Sequence, residues 1–175
     1  MAKQATVLGK EAQERRPSAK STVLRLAIAE HRQWKPIKRV GEYTRKLDTA
    51  LPGKHTYLLY NSFKRVQAST LAQLRTGMIR LNGYLHQIGA SETDQCTCGQ
   101  ARETVEHFLF RCSRWDQYRE RMRQQAVTTM GCLSFFLGGK APTDPDSWKL
   151  SVAAVRTAVQ YTIATGRLAL QELQR

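Results

Sequence analysis

Three cysteines and one histidine, clustered within 17 residues, constrain this chain more than any other feature of its sequence. They follow the spacing C-x-C-x8-H-x4-C through Cys96, Cys98, His107 and Cys112. Three thiolates and one imidazole suit a tetrahedral Zn²⁺ ion and leave no coordination position for a substrate. The spacing therefore predicts a structural zinc site with the ligand order Cys, Cys, His, Cys.

The distance between the last two ligands predicts a break in the backbone. On an unbroken α-helix, residues five apart point ~140° away from each other, so His107 and Cys112 would not reach one ion. The helix that carries His107 is therefore expected to end at Cys112. Ser113 with Asp116 three residues later is similar to a capping box, which predicts a new helix from Ser113. Gly99 is expected to allow a tight turn over the metal.

A second interpretation of the cysteines stays open at this stage. Cysteine often behaves as a small buried hydrophobe, and Cys112 continues the apolar stripe formed by Val105, Phe108 and Leu109. The C-x-C pair is also tighter than the C-x2-C pair of most zinc sites. The fourth cysteine, Cys132, stands alone and is predicted to be a core thiol.

Most of the remaining sequence has the periodicity of amphipathic helices. Predicted helices cover residues 21–35, 37–50, 62–76, 78–88, 103–111, 113–130 and a final segment from 152 to 170. The final segment is rich in β-branched residues, so a strand is an alternative there, but its length and period favour helix. The fold class is predicted to be all-α, a small helical domain with an inserted CCHC site.

The length of 175 residues suits one compact domain with an extension. Residues 1–20 lack periodicity and are predicted to be a flexible basic arm. Residues 21–91 form a basic helical region, residues 92–112 the zinc-binding motif, and residues 113–175 C-terminal helices that pack on the same core.

The charge of the chain points to a polyanionic partner. Lys and Arg number 28 against 14 Asp and Glu, a formal net charge of +14, and nucleic acid is the usual partner of so basic a chain. No apolar run approaches the ~18 residues of a membrane span, and the first residues lack the apolar region of a secretory signal. Four cysteines are too few for a disulfide scaffold, which favours an intracellular compartment.

Basic and aromatic side chains near the cluster are the candidate contacts to RNA or single-stranded DNA. The predicted contact residues are Arg75, Arg80, Arg102, Phe110, Arg111 and Arg114, with Lys64 and Arg65 as further phosphate contacts. Phe110 and Trp115 are candidates for base stacking, although packing in the core is favoured for Trp115. For the cations, the alternative is a solvated helix face.

No catalytic constellation is present in the sequence. The carboxylates are scattered and fall mostly in loops and at predicted helix starts, whereas two-metal nucleases need several that converge. The sequence also lacks a glycine-rich phosphate loop and the common hydrolase motifs. The chain is therefore predicted to be non-catalytic, without a small-molecule substrate.

Several motifs in a fixed order resemble a known family. They are LAQLRTG at 71–77, LNGYL at 81–85, CTCG at 96–99, ETVEHFLFRC at 103–112 and Arg114-Trp115. This order resembles the region that follows the reverse transcriptase and ribonuclease H domains in the polyproteins of LINE-like, non-LTR retrotransposons, especially those of fungi. The resemblance covers about residues 50–120. Met78, where relatives often have His, and Ser113, where they often have Pro, depart from the pattern.

The resemblance implies a CCHC motif similar to a zinc knuckle, with zinc bound by Cys96, Cys98, His107 and Cys112, and a nuclear location. It also implies the reverse transcriptase and ribonuclease H domains of a parent element as partners, although the chain contains neither catalytic motif and is similar to a detached tail. Two alternatives remain: a structural zinc clip in a helical interaction domain without nucleic-acid contact, or an inactive transposon remnant. A contiguous basic face favours binding, whereas arginines paired with acids favour the clip.

Overall fold

A computed structural model describes residues 41–51, 53–125 and 129–168 of the chain. The predicted arm at 1–20 and the predicted helix at 21–35 lie outside these residues. The α-helices are α1 Glu42–Leu47, α2 Lys54–Asn61, α3 Arg65–Thr76, α4 Asn82–Gln87, α5 Glu120–Gln125, α6 Leu133–Leu137 and α7 Val152–Ala164. A π-helical turn at His107–Arg111 and a 3₁₀ helix at Ser113–Tyr118 precede α5.

The all-α prediction is confirmed. Across the described ranges, β geometry is confined to one isolated antiparallel bridge between Gln95 and Arg102. The final segment is a helix and not a strand, and the Ser151 hydroxyl starts it by accepting a hydrogen bond from the Ala154 backbone N–H at 3.3 Å. None of the helices in these ranges combines the length and apolar composition needed to cross a bilayer.

The structure corrects the sequence predictions in four places. Helix α2 was not predicted, because its apolar residues lack a clear helical period. The predicted helix at 113–130 is divided into the 3₁₀ helix and α5. Val66, an apolar residue of the amphipathic helix predicted at 62–76, lies on the solvent side and is 67% exposed. The residue that caps the start of the 3₁₀ helix is Cys112 and not Ser113, without a capping hydrogen bond from its side chain, and Asp116 instead accepts from Arg119 and Arg123.

The core is aliphatic and is organised around α7, which packs against α3, α5, α6 and the π-helical turn. Val155, Ala158 and Val159 of α7 are fully buried. Seven leucines belong to the same core, together with the aromatic residues Phe108, Phe136 and Tyr161. Since the π-helical turn carries His107, this packing fixes one side of the Cys/His cluster to the main core.

A buried carboxylate joins three segments away from the cysteines. The Asp48 side chain is fully buried and accepts hydrogen bonds from Arg75 Nη2 at 2.6 Å and from His55 Nε2 at 2.8 Å. Its other oxygen accepts from the backbone N–H groups of Ala50 and Lys140, at 3.2 and 3.1 Å. This cluster, the Asp48 clasp, ties the end of α1 to α2, α3 and the segment after α6.

The hydrogen bonds of the clasp determine the ionisation of Asp48. Burial alone would raise the pKa of this carboxyl group, but the hydrogen bonds from His55, Arg75 and the Lys140 backbone outweigh burial and lower the pKa below its ordinary value of 3.8. The ionised carboxylate therefore stabilises the fold above that ordinary value. The stabilisation is lost as the pH falls through the lower pKa of the folded state.

Replacing Asp48 by Asn should destabilise the protein at neutral pH by about 3 kcal/mol, because Arg75 loses its buried counter-charge. Urea unfolding monitored by circular dichroism measures this change in the free energy of unfolding. Glu42→Gln is the matched control, since it removes the carboxylate of an exposed pair with Lys46, and should have a much smaller effect. The difference between wild type and Asp48→Asn should shrink below pH 3.8; equal effects of the two substitutions at neutral pH would contradict this role of the clasp.

Candidate metal centre

The four ligand atoms predicted from the sequence converge on one point. The three Sγ atoms and the nearest imidazole nitrogen of Cys96, Cys98, Cys112 and His107 all lie within 4.8 Å of one another. Cys96 Sγ and Cys112 Sγ are 3.6 Å apart, and Cys98 Sγ is 3.3 Å from His107 Nε2. The first separation far exceeds the about 2.05 Å of a disulfide bond. All four cysteines of the chain are free thiols.

These separations fit a single tetrahedrally coordinated ion. Zn–S bonds of about 2.3 Å place two sulfur ligands about 3.8 Å apart at the corners of a tetrahedron. Three sulfur ligands and one nitrogen ligand suit Zn²⁺ and other thiophilic metals, whereas Mg²⁺ and Ca²⁺ take oxygen ligands. The cluster has the donor atoms and the spacing to bind a metal ion, with every tetrahedral position filled by the protein.

A short hairpin supplies the first two ligands. The Cys96 N–H donates to the Ala101 carbonyl and the Gly99 N–H donates to the Cys96 carbonyl, both at 2.8 Å. This turn requires a positive φ of 74° at Gly99, a conformation that side chains with a Cβ rarely adopt. The C-x-C spacing thus places both sulfurs on the inside of one turn. The tight turn that was expected at Gly99 is confirmed.

The π-helical turn supplies the third ligand and positions the fourth. The Cys112 N–H donates to the His107 carbonyl at 2.8 Å, an i→i+5 hydrogen bond that widens the turn and brings residues five apart onto the same side. Cys112 is itself in an extended conformation, with φ −64° and ψ 117°. The predicted end of the helix at Cys112 and new helix from Ser113 are confirmed. The wider turn was not predicted.

A buried arginine holds this turn in place. The Arg119 side chain is 1% exposed, and its guanidinium donates to the backbone carbonyls of Leu109 at 2.8 Å, Phe108 at 3.3 Å and Cys112. The Tyr161 hydroxyl of α7 also donates to the Phe108 carbonyl, at 2.6 Å. A helix end leaves such carbonyls without partners, so Arg119 and Tyr161 supply the missing donors.

A second buried carboxylate anchors the hairpin. Glu103, directly after the hairpin, accepts two hydrogen bonds from the Arg167 guanidinium, at 2.6 and 2.9 Å, and one from the Asn82 N–H at 2.7 Å. The Gly83 N–H donates to the Glu103 carbonyl at 3.1 Å, and a Cβ at Gly83 would lie only 2.7 Å from that oxygen. The motif at 81–85 therefore docks the metal-binding hairpin onto α4.

Without a metal charge, the protein environment shifts the pKa values of the ligands in different directions. Burial raises the pKa of the Cys96 thiol to about 12. The Gln100 N–H lowers the pKa of Cys98, and burial lowers the pKa of His107, which favours the neutral imidazole that binds metals. A cation at the centre favours thiolates, so metal binding displaces the thiol protons.

The predicted nucleic-acid contacts occupy different environments. Arg75 is only 3% exposed and is bound within the Asp48 clasp, so the structure removes it from any phosphate-contacting surface. Arg80 is exposed on the segment before α4. Phe110 is half-buried, and its ring centroid lies 5.5 Å from that of Phe136 in the core. Trp115 is also half-buried and packs edge-on against Phe108.

The three arginines beside the metal centre remain on the surface, and two of them are paired with acids. Arg102 Nε lies 3.3 Å from Asp94 Oδ2, and Arg111 Nη2 lies 2.7 Å from Glu106 Oε1. Arg114 donates to the Thr97 hydroxyl at 3.2 Å, and its guanidinium lies 5.3 Å from the centroid of Trp115. Arg114 therefore connects the hairpin to the 3₁₀ helix.

Sequence reasoning missed the residues that support the ligands, namely Asn82, Glu103, Arg119 and Arg167. Glu103 and Asn82 lie inside the motifs that carry the family resemblance, which is a signal that could have indicated a structural role. Arg119 and Arg167 appear in the sequence as ordinary basic residues, and no spacing distinguishes them from the exposed arginines.

Two polyproteins are similar to part of this chain. A 49-residue stretch is 41% identical to a retrovirus-related Pol polyprotein from type-1 retrotransposable element R1 2 of Nasonia vitripennis, covering 28% of this chain and 12% of that protein. A 50-residue stretch is 38% identical to the Pol polyprotein of element R1 of Bradysia coprophila, covering 29% and 5%. No family model and no solved structure matches the chain. The matches support a retrotransposon-related origin.

Cys112→Ser should abolish stable metal binding and unfold much of the helical structure, because binding energy of about 10 kcal/mol or more becomes folding energy in small structural sites. Metal analysis of the purified protein, with circular dichroism before and after chelation, measures both effects. Cys132→Ser is the control, since Cys132 is a half-buried thiol outside the cluster, and it should retain one ion per chain. A Cys112→Ser protein that keeps its metal and its helicity would contradict the site.

Arg119→Met should weaken metal binding by about 10- to 100-fold, as expected when a group that orients the ligands is lost. The carbonyls of Phe108, Leu109 and Cys112 would lose a shared donor, and the π-helical turn would no longer be held in shape. Competition with a zinc-binding dye measures the affinity. Arg121→Met, at an exposed arginine two residues away, should leave affinity unchanged, and equal affinities for the two variants would exclude a positioning role for Arg119.

Proposed function

We propose that this chain is a zinc-dependent, non-catalytic nucleic-acid-binding module from the C-terminal part of a retrotransposon polyprotein. The observation that carries the proposal is the convergence of Cys96, Cys98, His107 and Cys112 within 4.8 Å. The matches to Pol polyproteins support the origin of the module, and the net charge of +14 supports a polyanionic partner. RNA or single-stranded DNA is the proposed ligand, and the nucleus is the proposed location.

Zinc is the metal that best suits the centre. Its tetrahedral preference matches a site in which three thiolates and one imidazole leave no open position. A closed site of this kind supplies folding energy rather than Lewis-acid catalysis. The ion would therefore hold the hairpin, the π-helical turn and the 3₁₀ helix together, and Arg114 would stand on the surface so formed.

The proposed contacts near the metal are the exposed side chains of Arg80, Arg102, Arg111 and Arg114, with the accessible edge of Phe110. Exposed ion pairs contribute little to stability, so phosphate groups can replace the acids that contact Arg102 and Arg111. Arg75 is excluded by its burial. Each phosphate neutralised by a cation releases a counterion, which makes the affinity sensitive to salt.

A second candidate function is a structural clip without nucleic-acid contact. The observation that favours it is the pairing of Arg102 with Asp94 and of Arg111 with Glu106 beside the metal centre. In this alternative, the module would hold the reverse transcriptase and ribonuclease H domains of a parent polyprotein, and its charge would serve solubility. An inactive transposon remnant would show neither activity.

Salt titration of nucleic-acid binding separates the two functions. Fluorescence anisotropy with labelled oligouridine and oligodeoxythymidine should show binding that weakens at least tenfold when salt rises from 50 to 200 mM, because several phosphate contacts release counterions. Chelation of the zinc should abolish binding, and re-addition should restore it. The control is the Cys132→Ser protein, which should bind as wild type does. Absence of binding at 50 mM salt would exclude this function and favour the clip.

A further inference from the structure

Positive charge is distributed unevenly between two parts of the described structure. Residues 49–91 contain five Lys or Arg residues and no Asp or Glu. Residues 92–123, which contain all four metal ligands, hold six basic and six acidic residues. The segment with the metal centre is therefore neutral overall, and the excess of positive charge lies on the helices that precede it.

The acids of the metal-centre segment also pair locally with its arginines. Asp94 and Glu106 contact Arg102 and Arg111, as described above, and Asp116 contacts both Arg119 and Arg123. These pairs reduce the positive potential that the segment presents to an anion. Long-range attraction of a polyanion is consequently expected from another part of the surface.

The surface along α2 and at the start of α3 has the opposite character. Lys54, Lys64 and Arg65 are exposed, and within the described ranges none of them forms an ion pair. Arg156 of α7 adds a fourth cation: it donates to the Ser62 carbonyl at 3.1 Å, and its guanidinium lies 5.2 Å from the centroid of the Phe63 ring. Four positive side chains thus come from the start of α2, the start of α3 and the adjoining side of α7.

The outer face of α2 carries an exposed aromatic ring, Tyr57, one helical turn from Lys54. Lys54, Tyr57, Leu58 and Asn61 follow the i, i+3, i+4, i+7 spacing of one helix face, and all four are exposed. Tyr57 is 71% exposed, whereas Leu59 on the opposite face is fully buried. An exposed ring on a surface whose cations form no ion pairs is a combination on which single-stranded bases stack while phosphates are neutralised.

Two acids of neighbouring segments are already paired with other cations. Asp48 lies beneath α2, but its carboxylate is fully buried and occupied by Arg75 and His55. Asp146, near the start of the segment that leads into α7, lies 3.0 Å from Lys140 Nζ. The positive charges of Lys54, Lys64 and Arg65 are therefore not cancelled by an adjacent described carboxylate.

We propose that the surface formed by Lys54, Tyr57, Lys64, Arg65 and Arg156, the α2–α3 surface, is the main contact surface for single-stranded nucleic acid. The cations bind the phosphate backbone, and the Tyr57 ring stacks against one base. This inference rests on the proposed function and moves the principal contacts away from the arginines beside the metal centre. Exposed Leu58 on α2 and Val66 on α3 add apolar area to these helices.

Two triple variants of the full-length, zinc-loaded chain test the location. Lys54→Ala/Lys64→Ala/Arg65→Ala should weaken binding to oligouridine of about 16 nucleotides at least tenfold, and should reduce the slope of log affinity against log salt by about 2. Arg102→Ala/Arg111→Ala/Arg114→Ala removes the same number of charges beside the metal, and should weaken binding less than about threefold. Metal content and circular dichroism confirm that both variants are folded.

The stacking contact has its own matched pair of substitutions. Tyr57→Leu should weaken single-strand binding about tenfold, whereas Tyr57→Phe keeps the ring and should bind as wild type does. Duplex RNA, whose bases are already stacked, should be insensitive to both substitutions. Ultraviolet crosslinking to oligouridine, mapped by mass spectrometry, should place the crosslink in residues 54–66 and gives a readout on the unmodified protein.

The outcomes separate this inference from the function on which it rests. A wild-type chain that binds no nucleic acid overturns both. Wild-type binding that survives the α2–α3 substitutions but is lost with the metal-side substitutions overturns the inference alone. Preference for anionic phosphatidylserine vesicles over oligouridine, or equal loss of duplex and single-strand binding in Tyr57→Leu, also overturns it. Loss confined to the α2–α3 variants with crosslinks in residues 54–66 supports it.

Discussion

The structure of the metal centre depends on one geometric constraint: two ligands, five residues apart, must face the same point. A regular α-helix cannot satisfy it, and the chain responds with a π-helical turn from His107 followed by an extended Cys112. This backbone conformation leaves carbonyl groups without the hydrogen-bond donors that a continuing helix would provide. The buried guanidinium of Arg119 supplies these donors. Tyr161 of α7 contacts the guanidinium, so the burial of Arg119 depends on the position of α7. The ligand geometry is thus coupled to the packing of the last described helix.

Buried charged groups also join distant segments elsewhere in this fold. Several of its helices have only five or six residues, too few to be stable alone. Glu103 with Arg167, and Asp48 with Arg75, each join segments far apart in sequence through hydrogen bonds that leave the charges satisfied. An ion pair in an apolar interior offers little net stability but penalises any arrangement in which one partner is left alone. These clasps therefore select one packing of short segments.

The sequence predicted the parts of this structure that are set by local rules. Helical periodicity gave the all-α class, and the ligand spacing predicted both the cluster and the end of the helix at Cys112. It did not predict which charged residues are buried, because burial depends on contacts between distant segments. Arg75 illustrates the difference. It was predicted to be a phosphate contact, but its guanidinium is buried and donates a hydrogen bond to Asp48, which lies 27 residues earlier in the sequence. Helix α2 was not predicted because Tyr57 and Leu58 occupy its outer face, where polar residues are expected, so its sequence lacks an amphipathic pattern.

The acids near the Cys/His cluster determine how much positive charge that region presents to a polyanion. Beside the four ligands, Asp94, Glu106 and Asp116 pair with arginines whose positive charges would otherwise repel one another. This balance of charges makes the region a weak attractor of polyanions. Residues 49–91 carry no proposed metal ligand and no acid, so exposed cations there can act on an anion without a neighbouring countercharge. Arg65 and Arg156 lie on α3 and α7, which pack directly against each other, and α7 also packs against the π-helical turn. The charged surface and the Cys/His cluster therefore depend on the same core.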